Sequence, residues 1–411
     1  MIPELRLLLR IQTLFFFAYA LGGIFLQVFL FTLGGFSAVA LFNLITAGTS
    51  VVVYGASGFF LSRFCSKDIL LAGLAAYAAL FFTLFAFQDT SVSVLPILAM
   101  LNGIGGGMLW AALNLSHYLL IPADERHGYF GRQSFWMNTV QFVAPFLGGA
   151  MLLFFGLAVK TPVAYSLLFV IIAVMMAAVY WEATYLPRHS GVRFSVFDFK
   201  KHRRSWPWKL ALAQDVGYGF FDFAFGAFSA VLIFLIAGNE FLLGLANSAG
   251  AAVAAIAGLI AGFLLRVKKK AYIAGMFFAP LGIFLFAWGQ NVWGVLALIL
   301  IYQSAMPFLT IATSKTMFDL IDYSSEPWQE KYHLFVEREA ALGIGRIISL
   351  TLLYLLFTGQ HQYEIARGWM VILAGIPFLV GVLHYGIVRE KVITWKQTWI
   401  HISGPVMRGR K

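Results

Sequence analysis

Long apolar runs recur along the whole chain and constrain its fold more than any other feature. Each run has roughly 20 residues and few charges, which is enough for one helix to cross a bilayer. Of the 411 residues, 61% are hydrophobic and 11% are charged, whereas soluble globular chains carry about 25% charged residues. The sequence therefore excludes a soluble enzyme and predicts an integral membrane protein built from helices.

Charged or Gly/Pro-rich breaks divide the chain into twelve predicted spans. They cover residues 12–33, 38–61, 69–87, 94–121, 133–156, 163–186, 209–236, 241–265, 271–289, 292–314, 341–358 and 368–388. With both termini in the cytoplasm, only Lys160 and Arg367 of the 29 lysines and arginines fall in outer segments. Because cytoplasmic loops are enriched in Lys and Arg, we expect an all-α protein with twelve transmembrane helices, both termini cytoplasmic, in the plasma or inner membrane. These loops also explain the net charge of +11 without nucleic-acid binding.

The two halves of the chain look like repeats. The stretch Gly58-Phe-Phe-Leu at the end of span 2 recurs as Gly262-Phe-Leu-Leu at the end of span 8. Asn43 and Asn247 lie 204 residues apart within the same two spans. We expect two six-helix bundles at residues 1–187 and 209–390, joined by a basic cytoplasmic linker at 188–208 and followed by a cytoplasmic tail at 391–411.

The loop after span 2 carries a recognisable motif. It keeps Gly58, Arg63 and Lys67 of the pattern Gly-x-x-x-Asp-Arg-x-Gly-Arg-Arg/Lys, with Ser62 at the Asp position and Cys65 at the second Gly. Together with the repeat and the basic linker, this motif resembles the major facilitator superfamily of secondary transporters over essentially the whole chain. The resemblance implies two parallel six-helix halves related by an axis along the membrane normal, and a gating role for the loop.

Further stretches refine the resemblance. Span 5 contains Pro145-x-x-Gly148-Gly149, which is similar to a motif of exporters in the superfamily and is also typical of close helix packing. Span 4 reads Leu101-Asn102-Gly103-Ile104-Gly105, without the Arg that drug/proton antiporters carry before Gly-x-Gly. The acidic segment Asp319 to Glu339, followed by Gly343-Ile-Gly-Arg346, resembles uncharacterised bacterial members.

The resemblance implies that spans 1, 4, 7 and 10 line a central cavity. Polar and aromatic residues follow helical spacing on these spans, where residues three or four apart share a face. The candidate substrate-contacting residues are Gln27, Trp110, Asn114, His117, Tyr218, Phe221, Ser229, Gln303 and Thr310. Helix packing explains one such stripe equally well, but stripes on three of the four expected spans favour a cavity.

Asp215 and Asp222 are the only acidic residues well inside a predicted span. At about 1.5 Å per residue they lie roughly 9 Å and 20 Å from its inner end. A carboxylate at such depth costs about 2.5–3.5 kcal/mol and normally faces a cavity or a partner. We expect Asp215 to pair with Arg346. For Asp222 no basic residue lies at matching depth in the predicted spans, so it is expected to bind and release protons as the main coupling residue.

These features favour a proton-coupled secondary transporter that moves a small organic, amphiphilic or lipophilic solute by alternating access, with export favoured. A divalent metal-ion transporter using Asp222, Asp215 and His117 is the alternative, and a non-transporting scaffold or lipid scramblase is a third hypothesis. No catalytic residue, resident metal or cofactor is predicted, because the glycines at 103–107 lack the strand and Lys of a phosphate loop. The expected partners are a small-molecule substrate, protons and membrane lipids, and we expect a monomer.

Overall fold

The computed structural model describes residues 3–87, 91–121, 126–195, 204–323 and 329–403, and every regular element in them is helical. Eleven helical stretches in these residues are long and apolar enough to cross a membrane, so the predicted all-helical membrane class is confirmed. The helices are α1 Pro3–Leu61, α2 Ser66–Ala86, α3 Ser91–Leu120, α4 Arg126–Ala158, α5 Thr161–Ala183, α6 Trp206–Ala237, α7 Glu240–Val267, α8 Tyr272–Gly289, α9 Val292–Ala297, α10 Gln303–Asp322, α11 Tyr332–Leu356, α12 Gln362–Ala374 and α13 Ile376–Ser403.

Helix α1 is 59 residues long but reverses direction near its middle. Its backbone is non-helical at Gly34 and at Gly35, where φ is 65°, a conformation that glycine adopts without a steric penalty. Asn43 Nδ2 donates to Gln27 Oε1 at 2.8 Å, although residues 16 apart in a straight helix would lie about 24 Å apart. The reversal falls between the predicted spans 12–33 and 38–61.

Two regions depart from simple helices or from the predicted bounds. A π-helical turn, Leu298–Tyr302, joins α9 to α10. Helix α11 begins at Tyr332, well before the predicted start at residue 341. The prediction stopped at Arg338 and Glu339 because isolated charges are costly in a membrane. Within the bundle these charges are paired, so the helix continues through them.

One close approach between helices and one hydrogen bond within a helix recur in both halves of the chain. A Cβ placed on Gly73 would lie 2.9 Å from the Leu109 nitrogen, and one on Gly275 would lie 2.9 Å from the Leu309 nitrogen. Asn43 and Asn247 each donate to the carbonyl four residues earlier, at 2.8 Å and 3.0 Å. Contacts therefore repeat at offsets close to the 204 residues seen in the sequence.

The bundle has two distinguishable ends. We call the end where α1 finishes at Leu61 and α6 begins at Trp206 the linker end. At the opposite end, the Phe36 ring stacks on Phe228 at 6.0 Å and on Phe357 at 5.5 Å. Elements of both halves are therefore in contact at the opposite end.

Candidate functional site between helices α6 and α11

Helices α6 and α11 approach closely through glycines on both sides. A Cβ on Gly219 of α6 would overlap the Leu342 carbonyl of α11, and a Cβ on Gly345 of α11 would overlap the Val216 carbonyl of α6. Small residues at such crossings let helix backbones approach. The charged side chains of the two helices are therefore brought within bonding distance.

Two arginines and three carboxylates lie along this crossing. Arg346 donates to Asp222, with Nη2 2.7 Å and Nε 3.0 Å from Oδ2, and its Nη1 lies 2.8 Å from Glu339 Oε1. Nearer the linker end, Arg338 Nε lies 3.9 Å from Asp215 Oδ2. We call these five residues the charged cluster. When all of them are ionised, the cluster has one carboxylate more than guanidinium groups.

The part of the charged cluster farther from the linker end is largely shielded from solvent. The exposed fraction of the side chain is 12% for Arg346 and 18% for Asp222. The Arg346 guanidinium also lies 4.4 Å from the centre of the Phe223 ring. Removing one partner of a buried ion pair leaves an uncompensated charge. A change in protonation here therefore alters the contact between α6 and α11.

The prediction that Asp222 has no basic partner is wrong, as is the pairing of Asp215 with Arg346. Both helices start at the linker end, at Trp206 and Tyr332. At 1.5 Å per residue, Asp222 is about 24 Å and Arg346 about 21 Å along its helix, so the two lie at matching depth. The predicted start of span 11 at residue 341 places Arg346 much nearer the inner end of its helix than the structure does.

A bridge of neutral polar groups lies beside the cluster and joins α1 to α11. The rings of Tyr54 and Tyr332 are stacked 6.4 Å apart at an interplanar angle of 7°. Ser57 Oγ lies 2.7 Å from the Tyr332 hydroxyl, and Asn114 Nδ2 donates to the Tyr54 hydroxyl at 3.0 Å. Both tyrosines are fully buried, with 1% of each exposed. Asn114, a predicted cavity residue, therefore belongs to this bridge.

The predicted cavity residues of the second half pack mainly among helices. The Phe221 ring stacks on Phe225 at 4.6 Å and lies 6.4 Å from Tyr302. The Tyr218 ring lies 6.4 Å from Phe221. Ser229 and Thr310 hydrogen-bond to carbonyls of their own helices, and Gln303 lies against Gly250.

The predicted cavity residues of the first half are dispersed. Gln27 binds Asn43, as described above. Trp110 is 39% exposed, and its ring lies 5.7 Å from Phe16. His117 is buried and its ring lies 5.6 Å from Tyr129, edge to face. These contacts do not bring Gln27, Trp110 and His117 into one group.

The residues of the two family-like motifs lie at helix contacts and at the linker end. Lys67 Nζ donates to the Thr184 carbonyl at 2.6 Å, which places a cation at the C-terminal end of α5, where the helix dipole favours it. Arg63 is exposed. A Cβ on Gly58 would lie 2.5 Å from the Phe194 ring.

The Pro145-x-x-Gly148-Gly149 stretch of α4 lies against two other helices. A Cβ on Gly148 would overlap the Leu21 carbonyl of α1, and one on Gly149 would lie 2.9 Å from the Glu240 carbonyl of α7. The Pro145 carbonyl faces Gly244 of α7 in the same way. Each contact is a close backbone approach between helices.

No group of three or more His, Cys, Asp or Glu side chains suited to a metal ion occurs among the described residues. The alternative metal set is divided, since His117 lies against Tyr129 of α4 whereas Asp215 and Asp222 face arginines of α11.

Sequence reasoning missed Tyr54, Tyr332, Arg338 and Glu339 as members of the site. A signal was present for part of it: Tyr332, Glu339 and Arg346 follow each other at seven-residue spacing, which places them along one face of a helix. Tyr332 and Glu339 fall in the predicted acidic segment ahead of span 11, and this assignment hides the helical spacing.

The apolar helices, their close crossings and the buried charged cluster define a multi-pass membrane protein. The chain has the fold of transporters of the major facilitator superfamily, which confirms the resemblance inferred from its sequence. A solved bacterial homologue of the iron transporter ferroportin, in an inward-facing state, superposes with a TM-score of 0.68 and 15% identity, covering 93% of this chain and 98% of that one. The superfamily transporter FucP in its outward conformation gives a TM-score of 0.64 and 16% identity, covering 93% and 99%.

The sequence also has a curated relative. The uncharacterized protein YqgE of Bacillus subtilis (strain 168) is 22% identical over 387 residues, which covers 93% of this chain and 87% of YqgE. No family model matches the sequence.

Proposed function

We propose that the protein is a secondary active transporter that moves a small organic, amphiphilic or lipophilic solute by alternating access. The observation that carries this proposal is a buried charged cluster, with one excess carboxylate, in a chain that shares the fold of known transporters over 93% of its length. The cluster lies next to Tyr54 and Tyr332, where α1 meets α11. A change of protonation there would act on a contact between the two halves.

The proposed architecture has twelve spans, of which α1 supplies two, with both termini in the cytoplasm of a cell whose plasma or inner membrane holds the protein. Residues 1–187 and 209–390 would form the two six-helix bundles. The recurring contacts of Gly73 and Gly275 support this division. We also propose a monomer that works in the outward direction, the latter supported only by the exporter-like stretch at Pro145–Gly149.

We propose proton coupling through Asp222 and Asp215, now with Glu339 as a third member. Arg346 is shared between Asp222 and Glu339, so a proton on either carboxylate weakens its bond to the guanidinium and leaves the other bond in place. This exchange would change the net charge of the cluster by one without leaving Arg346 unpaired. Because an unpaired charge is costly at this depth, such a shared arrangement suits repeated protonation.

A divalent metal-ion transporter of the same fold stays the alternative, because one similar structure is a homologue of an iron transporter. A scaffold or scramblase without transport is the third hypothesis. The three differ in ligand response: metal ions, lipophilic solutes or neither would raise the melting temperature of the purified protein.

The test is a thermal-stability screen of purified protein against divalent metals, lipophilic cations, neutral lipophilic compounds and metabolites at two pH values. A stabilising compound is then measured in proteoliposomes with an imposed pH gradient. We expect Asp222→Asn to abolish uphill transport, while Asp68→Asn, a carboxylate outside the cluster, leaves it unchanged. Uphill transport by Asp222→Asn with an unaltered pH dependence would contradict proton coupling through Asp222. A scaffold would show no transport in either the unaltered protein or the Asp222→Asn variant.

A further inference from the structure

The first part of the linker crosses the linker end and is tied to both halves. We call residues 187–195 the linker strap. The nitrogen of Ser66, the first residue of α2, donates to the His189 carbonyl at 2.9 Å, and the Arg193 nitrogen donates to the Gln329 carbonyl, just before α11, at 2.9 Å. One backbone hydrogen bond therefore fastens the strap to each half.

Phe194 is the point at which the strap enters the bundle. Ring atoms of Phe194 lie 2.5–2.7 Å from where a Cβ on Gly58 would be, so the ring fills a notch that only glycine leaves open. The same ring lies 5.1 Å from Phe59, edge to face, and 6.2 Å from Tyr332. Phe194 thus contacts the end of α1 and the beginning of α11 together.

The bridge formed by Tyr54 and Tyr332 lies next to Phe194. Tyr332 contacts Phe194 on one side and stacks on Tyr54 on the other, and Ser57 hydrogen-bonds to it at 2.7 Å. If the two halves separate at the linker end, the bridge must break. Phe194 would hinder that separation as long as it stays in the notch.

The charged residues of the motif loop, Gly58–Lys67, do not join the two halves in the way that the strap does. Ser62 stands at the acidic position, Arg63 is exposed, and Lys67 binds Thr184 within its own half. Links between the two halves at this end include the strap, the tyrosine bridge and the contact between the rings of Tyr118 of α3 and Phe335 of α11, 5.8 Å apart.

We propose that the linker strap is a latch: with Phe194 seated in the Gly58 notch it holds the linker end closed, and it must leave the notch before α1 and α11 can separate there. The latch rests on the alternating access proposed above, because it has a role only if that end opens. It also gives Gly58 a role of its own, as the socket for Phe194.

The test measures opening with a reporter cysteine and needs no known substrate. Val51 of α1 is half-buried and its side chain lies against Gly343 of α11, so Val51→Cys in a Cys65→Ser background should react faster with a maleimide when the halves part. We expect Phe194→Ala and Gly58→Ala to speed labelling about tenfold, the effect of losing one aromatic contact. Phe64→Ala is the matched control, because Phe64 lies in the same loop and is 55% exposed.

The possible outcomes distinguish failure of the latch proposal from failure of the proposed transport function. Equal, slow labelling in all variants would overturn the latch and leave alternating access intact. A reporter that never reacts, in protein that melts at the normal temperature, would contradict both, because the linker end would not open at all.

A second experiment tests the proximity of Phe194 to Gly58 by joining the two positions with a disulfide. The Phe194 Cγ lies 2.5 Å from a Cβ on Gly58, so the two Cβ positions are at most about 4 Å apart and within reach of a disulfide. We expect Gly58→Cys with Phe194→Cys, in the Cys65→Ser background, to lose both free thiols on mild oxidation. Persistence of two free thiols in folded protein would overturn the proposed seat.

Discussion

Arg346 is the residue on which the candidate site depends, because it contacts Asp222 and Glu339 at once. A guanidinium can bind two carboxylates through different nitrogens, which fixes both in direction and distance. The pairing also changes what a substitution at Asp222 should do. A solitary aspartate could be neutralised with little structural cost, whereas a paired one stabilises its partner.

At the residue scale we therefore predict that Asp222→Asn lowers the melting temperature of the purified protein. Breaking a buried ion pair costs about 3–5 kcal/mol, and the lower end is expected because Glu339 still binds Arg346. Arg346→Gln alone should cost more, because it leaves both Asp222 and Glu339 without their guanidinium partner, and adding Asp222→Asn to it should recover part of that loss. If the double variant melts below Arg346→Gln, the ion pair does not account for the effect.

The sequence predicts that Asp222 belongs to a site, but not what lies beside it. Depth and composition are readable from residue spacing, which is how Asp215 and Asp222 stand out. Pairing depends on where the neighbouring helix starts, and the charges at Arg338 and Glu339 hid the start of α11. The stacking of Tyr54 on Tyr332 joins residues 278 positions apart, and no local pattern reveals such a contact.

At the scale of elements, α11 connects the functional parts. Its first turn carries Tyr332, which contacts Phe194 and Tyr54, and further along it carries Arg338, Glu339 and Arg346. A helix moves largely as a rigid body, so a displacement at Arg346 is transmitted to Tyr332. The crossing of α6 and α11 at Gly219 determines how far apart the two helices lie.

We predict that Gly219→Ala pushes α6 and α11 apart, because its Cβ would overlap the Leu342 carbonyl. Overpacking of this kind costs about 1–3 kcal/mol and should lower the melting temperature. Gly226→Ala is the control on the same helix, since no atom lies within 4 Å of its Cβ position, and it should melt at the same temperature or higher. Equal melting of Gly219→Ala and Gly226→Ala would contradict the close crossing.

Binding of the linker strap to the bundle should depend on pH. Burial lowers the pKa of His189 from 6.5, so the seated strap favours the neutral imidazole. The strap is therefore bound most strongly above about pH 6.5. Its binding weakens as the pH falls further, because the imidazole of the released strap takes up a proton more readily. We predict faster labelling of Val51→Cys at pH 5.5 than at 7.5, after normalisation to an exposed Phe64→Cys thiol. His189→Gln should remove this difference, and its persistence would assign the pH effect to another group.

At the scale of the whole molecule, contacts between the halves occur at both ends. Phe194, Tyr54 and Tyr332 join them at the linker end, whereas Phe36 stacks on Phe228 and Phe357 at the opposite end. Glu240 accepts a hydrogen bond from Tyr165 at 3.0 Å, also at the opposite end. Alternating access requires that these two sets of contacts break at different times, so opening one end should keep the other closed.

This requirement gives a prediction that can be tested at a distance. Gly244 of α7 faces the Pro145 carbonyl closely near the opposite end, whereas no atom lies within 4 Å of the Cβ position of Gly156 on α4. Gly244→Trp should therefore force the opposite end open, and Gly156→Trp should not. We expect Gly244→Trp to suppress labelling of Val51→Cys at the linker end, even when Phe194→Ala has released the strap. Unchanged or faster labelling would mean that the two ends open independently, which alternating access does not allow.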